Sequence, residues 1–480
     1  MSRAFCGLRT ILKGMSTTQS DSGPRATPMP ASPTEAEKIR ALPWSIGFGV
    51  LSSSVFCVWT VFGSVFLLYL QELGLPKGQI GLLLSVFPFC GIIAPLAAPV
   101  VVRLGLKRVC LVTYTARKLV TSLLLLLPVV MAAVGHTGAV VYVAVVILTF
   151  AVLRALAETA VYPWSQEYVP DSVRGKYGAV SMVLGTLASV AALSIAGYVV
   201  SHGHGLNRFL WLQGAGCTAG LLGTALLFRV PGGAPAQPEP GQATHRNELG
   251  VAVRDRNFRR FLYGTAGLAI GGGMLSSFMP LMLVERVGIR PGTVIWLDNA
   301  TMIGSVAASL LWGWMADRFG SRTALMPGLT LSLALSVFWC SILATGHAAA
   351  LGIPALAAAG FVGGVATSAI TIGSGRLLLA GVVPPDKSAA YTSVYYAWAG
   401  LTGGIAPLLA GGIFSATAAL PMPTAWTAAD PYAILFTLSL FPAVFGWVSF
   451  FRTRPDGAVR TRELLRQVVW RVFRLTTLTR

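Results

Sequence analysis

Five ionisable side chains stand where the surrounding sequence is apolar: Arg117, Lys118, Arg154, Glu158 and Asp298. An ionisable residue in a membrane span costs about 2.5–3.5 kcal/mol on insertion scales and is a functional candidate by default. Arg154 and Glu158 are four residues apart, so on a helix they share a face and can pair. Such a pair can contact an anionic group or hold a proton. It can equally be a structural ion pair, and the spacing leaves both readings open. Asp298, followed by Asn299, is a second candidate proton or cation site, or else a polar contact between packed helices. Arg117 is a further candidate, weighed against a purely structural role. No cluster points to catalysis: the chain has no HExxH and no GxxxxGK[ST]. The six cysteines form no CxxC pair, and His202-Gly-His204, His136 and His347 all read as external. No enzyme activity, metal or cofactor is expected.

The elements that must position these charges are long apolar segments. Of 480 residues 54% are hydrophobic and only 11% charged, against roughly 25% charged in soluble proteins. About 20 apolar residues cross a bilayer as a helix, and lipid forces each backbone amide to bond within its own segment. Twelve such stretches are expected: 44–70, 79–102, 109–133, 138–163, 176–201, 207–229, 259–284, 292–316, 323–345, 349–379, 389–416 and 432–451. The last should begin at Asp430, a capping residue, with Pro431 in the first turn. Residues 1–42 are polar and rich in Ser, Thr and Pro, and read as a disordered tail. Residues 230–258, opening Pro-Gly-Gly-Ala-Pro, read as a flexible linker. Within 454–480, Leu464, Leu465, Val468, Val469, Val472 and Phe473 share one face opposite arginines, as in a helix lying on a membrane surface.

The net charge of +19 does not mean nucleic-acid binding, because of where it sits. With twelve spans, 29 of the 36 Lys and Arg residues fall on the side of the two termini, four on the other, and three in the spans. By the positive-inside rule the termini are cytoplasmic, and the basic surplus faces anionic headgroups.

The two halves repeat at a constant offset. Gly74 matches Gly288, Arg108 matches Arg322, Val169-Pro170 matches Val383-Pro384, Tyr177 matches Tyr391 and Gly197 matches Gly411, each 214 residues on; Gly105 and Gly320 differ by 215. A register held this long implies two bundles of one topology, 43–229 and 259–453.

With this organisation the chain resembles the major facilitator superfamily over about 43–453. The sharpest element is Gly313-Trp-Met-Ala-Asp317-Arg318-Phe-Gly320-Ser-Arg322, which is similar to the family's loop between spans eight and nine. The resemblance implies that this loop latches the outward-facing state. Asp317 is expected near a neighbouring helix N-terminus, Gly313 at a close helix approach and Gly320 in the turn. In the first-half loop Ala98 and Val102 stand where the family has Gly and Asp, although Arg103, Gly105, Lys107 and Arg108 remain. Arg154 resembles a helix-four arginine of proton-coupled members, without the residues that usually follow it. The resemblance implies an all-α membrane protein of twelve transmembrane helices in two pseudo-symmetric six-helix bundles. The expected function is secondary, proton-coupled transport of a small solute, anionic in part, by a monomer in a bacterial inner membrane. A non-transporting membrane sensor or assembly factor is the alternative.

Overall fold

A computed structural model describes residues 34–61, 63–170, 172–235, 245–345, 352–384, 388–417, 430–454 and 456. The surface-helix reading of 463–474 lies outside these residues, as do 1–33 of the expected tail. The described chain is helical. Helix α1 spans Glu35–Glu72 and starts earlier than expected, because Thr34 and Glu37 form a reciprocal capping box. It is interrupted by a π-helical stretch, Gly49–Val55. Helix α2 is Lys77–Cys90 continued by Ile93–Leu104, broken at Gly91 just after Pro88. Helices α3 (106–134) and α4 (136–168) are separated only by Gly135, whose φ of 71° turns the chain back. Then come α5 (Arg174–His202), α6 (Asn207–Leu226), α7 (Arg256–Glu285), α8 (Pro291–Phe319), α9 (Arg322–Thr345), α10 (Ile353–Arg376), α11 (Ser388–Thr417) and α12 (Pro431–Arg452). Ten helical runs are long and apolar enough to cross a membrane. One of them contains both α3 and α4, and broken α2 is the twelfth span. As expected, Asp430 caps α12 by accepting from Tyr432 N at 2.9 Å.

Of the joining segment, residues 230–235 and 245–258 are described. Residues 230–235 dock on the first half: Trp164 Nε1 donates to Pro231 O (3.0 Å), Gly233 N to Glu167 Oε2 (2.8 Å) and Lys107 N to Gly233 O (3.1 Å). A short helix, His245–Arg254, precedes α7.

The repeat is visible in the backbone. Gly105 and Gly320, which end α2 and α8, both have φ of 92°, a value that excludes most L side chains. Tyr177 reaches Ser45 Oγ at 2.8 Å, and its counterpart Tyr391 donates to Asp255 Oδ2 at 3.1 Å.

Two seams join the halves: α2 against α11 and α5 against α8. Both rest on the same three residues, 214 apart. A Cβ on Gly78 would lie 2.0 Å from Ser415 Oγ and 3.4 Å from Gly411 O; on Gly292 it would lie 1.9 Å from Ser201 Oγ and 2.4 Å from Gly197 O. Small residues bring these backbones together. Both contacts lie toward the face opposite the basic loops, called here the far face.

Candidate functional site

The first-half charges gather between α3 and α4. Arg154 lies 18 residues along α4, near the middle of the span, and Glu158 and Tyr162 follow at one-turn spacing. Side-chain exposure of Glu158 is 39% and that of Tyr162, as a residue, 66%, while Tyr396 of α11 is 61% exposed. The electrostatic neighbours of Tyr162 are Glu158, Arg154 and, across the halves, Tyr396. A charged stripe of α4 thus carries solvent-accessible groups on a face turned toward Tyr396 of the other half.

Behind that stripe lie two buried basic residues. Arg117 is 2% exposed and its Nη1 is 3.8 Å from Glu158 Oε1. Its guanidinium carbon sits 4.1 Å from the Tyr114 ring centre, 5.7 Å from Phe150 and 5.8 Å from Phe56. Lys118 is fully buried, with Nζ 4.6 Å from Tyr114, 5.2 Å from Phe56 and 5.8 Å from Phe48. Arg117 Nε and Lys118 Nζ have no hydrogen-bond partner among the described residues. Ring faces therefore surround both groups, and for the guanidinium each such contact gives up to about 2 kcal/mol when desolvated. Phe48 and Phe56 bracket the π-helical stretch of α1, and such stretches occur often at functional sites. Sequence spacing brought Arg154 and Glu158 together; the role of Arg117 as a partner of Glu158 was visible only in three dimensions.

Asp298 stands apart from this cluster, about two turns into α8 from the far face. Its carboxylate bonds the hydroxyl of Ser64 on α1, in the other half. Next to it Asn299 Nδ2 donates to Ser194 Oγ of α5 at 3.1 Å. Both residues thus link the halves where they are closed.

The loop after α8 departs from expectation in its partners. Asp317 is 82% exposed and pairs with Arg376 of α10 instead of resting at a helix N-terminus. That capping position belongs to Asp456, after α12: its buried carboxylate accepts from Ser321 N at 2.9 Å and from the Ser321 hydroxyl, and lies 3.5 Å from Arg376 Nε. Arg322 donates to Phe451 O and lies over its ring, and Arg318 lies over Phe319. Gly320 makes the turn, whereas a Cβ on Gly313 would meet nothing within 4 Å. The latch loop here binds its own half.

At the far face, Glu285 at the end of α7 collects three partners. Lys77 Nζ is 2.5 Å away, Gln71 Nε2 3.0 Å and Tyr432 OH 2.8 Å. Lys77 also lies 4.9 Å from the Phe414 ring and 4.8 Å from Tyr432. Next door Arg286 pairs with buried Asp430 at 2.6 Å. Gln71 and Lys77 belong to the first half and Glu285 to the second. Sequence reasoning missed this hub, although the repeat offset contained its signal, since Gln71 and Glu285 are 214 residues apart. No group of three potential metal ligands occurs among the described residues.

Two pseudo-symmetric helix bundles closed at one face, with buried charges at an opening toward the other, define a membrane transporter. Residues 48–290 and 261–478 each match the Major Facilitator Superfamily. The chain belongs to that superfamily and is a transporter, not an enzyme. Among curated proteins none matches it in sequence. Solved structures similar in fold include the nucleoside transporter NupG (16% identity, TM-score 0.62, covering 87% of this chain and 100% of that one). A D-xylose–proton symporter is similar too (16%, TM-score 0.60, 88% and 99%). So is a bacterial homologue of the iron transporter ferroportin in an inward-facing state (12%, TM-score 0.62, 86% and 98%).

Proposed function

We propose that the chain is a secondary active transporter, coupled to protons, that carries a small solute bearing an anionic group by alternating access. The observation that carries this reading is the α4 stripe. Arg154 stands at mid-span, Glu158 and Tyr162 follow it toward the basic side on a face turned to the other half, and Glu158 is backed by the buried Arg117. Arg154 receives the anionic group. Glu158 carries the proton, and Asp298 links proton occupancy to closure through Ser64. The basic loops face the cytoplasm of a bacterial inner membrane, with both termini inside and the monomer as the working unit. The similarity to a D-xylose–proton symporter supports the coupling.

The test is solute uptake into proteoliposomes under an imposed pH gradient. Arg154→Ala should weaken apparent affinity about 10- to 100-fold, the effect of losing a hydrogen bond to a charge. Glu158→Gln should abolish gradient-driven accumulation and leave counterflow exchange intact. Unchanged uptake kinetics in Arg154→Ala would remove that residue from the site, and unchanged accumulation in Glu158→Gln would remove the coupling.

A further inference from the structure

A second groove lies on the outer surface of the first half, at its basic face. It is about 740 Å³ and is walled by α3, the end of α6 and the docked segment Gly232–Ala234. Its rim is basic: Lys107 and Arg108 open it. Lys107 Nζ donates to Phe228 O (3.0 Å) and Val230 O (2.7 Å), which leaves one of its three donors unused. Arg108 is exposed and presents its guanidinium at the mouth. The Glu167 carboxylate is engaged by Gly233 N of the docked segment.

From that rim an apolar stripe descends along α3. Leu111, Val112, Leu119 and, across the groove, Phe228 line it; Val112 is 60% exposed, Leu119 53% and Phe228 64%. Lys107 to Leu119 is twelve residues, about 18 Å of helix. One leaflet of a hydrocarbon core is about 15 Å deep. A cationic rim at the interface above an apolar wall one leaflet long matches an amphiphile, and does not match a soluble anion, which needs no such wall.

We propose that this groove is a specific binding site for one anionic phospholipid of the basic-side leaflet. Its phosphate is held by Arg108 and the free Lys107 donor, and an acyl chain lies along Leu111–Leu119. Because Lys107 also holds the linker through Val230 O and Gly233 O, the lipid clamps the linker to the first half.

The test uses the full chain purified in a neutral detergent. Native mass spectrometry would measure retention of added phosphatidylglycerol against phosphatidylcholine, and thermal unfolding would be followed with each lipid and with inorganic phosphate. Wild type should retain and be stabilised by phosphatidylglycerol selectively. Arg108→Gln should lower that retention about fivefold, the effect of one interfacial basic residue. Val112→Trp, which fills the groove and leaves the charge unchanged, should lower it as well. Arg259→Gln, an equal charge change on another basic segment, should not. The proposal is overturned if Arg259→Gln loses as much as Arg108→Gln, if Val112→Trp retains the lipid fully, or if inorganic phosphate stabilises as well as the lipid.

Discussion

Arg117 is the residue whose meaning changed most between sequence and structure. In the sequence it was a candidate weighed against a purely structural role; in the fold its side chain is 2% exposed and 3.8 Å from Glu158. In the transport reading proposed above, a cation in that setting orients the Glu158 carboxylate, a positioning role. Removing one partner of such a pair costs more than removing both, because the survivor stays uncompensated. Glu158→Gln should therefore lower stability in detergent by about 1–2 kcal/mol, given the carboxylate's partial exposure, and with it the thermal midpoint. The double variant Arg117→Met/Glu158→Gln should recover part of that loss. Thermal unfolding of the four proteins checks this, and strictly additive midpoints would show that the two groups are not coupled. Spacing along one helix made Arg154 and Glu158 legible. Arg117 was legible only as a charge, since nothing in the α3 sequence states which face meets α4.

At the scale of elements, both bundles solve one problem in two ways. Helices α3 and α9 follow tight glycine turns, and their first N–H groups need acceptors outside the helix. In the first half Gly233 O accepts from Lys107 N; in the second Asp456 Oδ1 accepts from Ser321 N, at the position 214 residues on. Each acceptor comes from the segment that leaves its bundle. The second half uses a side chain, and that single carboxylate also meets Arg376, which in turn holds Asp317. Asp456→Ala should destabilise by about 1–2 kcal/mol, the range for a lost N-cap. It should also open the loop at 317–322 to limited proteolysis, whereas Asp456→Asn should keep the cap and restore most of the resistance. Equal protease resistance in wild type and Asp456→Ala would refute the clamp. The twelve spans were legible because lipid imposes length and apolarity on each. Breaks inside them were less so: α2 at Gly91 and the π-helical stretch of α1 change hydrogen-bond register without changing hydropathy. Asp456 was not legible as a cap, since its partner is 135 residues away.

For the whole molecule, the repeat offset locates the axis about which the halves are related. Positions equivalent in two repeats can touch each other only close to that axis, and Gln71 meets Glu285 at 3.0 Å. The glycine–serine seams, Gly78 with Gly411 and Ser415, and Gly292 with Gly197 and Ser201, flank this point as copies of one another. Closure of the far face thus combines two close-packed seams with one polar hub, and among the described residues the hub holds the ion pair that crosses between the halves. The loop after α8, at the opposite end, is engaged within its own half. Lys77 and Glu285 side chains are 17% and 25% exposed, so their pair adds a modest amount, about 1 kcal/mol, or roughly a fivefold bias between two conformations. Glu285→Gln should shift the population toward opening at the far face by that factor. Electron-spin distance measurements between labels at Gln79 and Arg290 would show it as a longer-distance component. The exchange Lys77→Glu with Glu285→Lys should return the distribution toward wild type, because the pair is re-formed with its sign reversed. A distribution unmoved by Glu285→Gln would mean that the seams alone close this face.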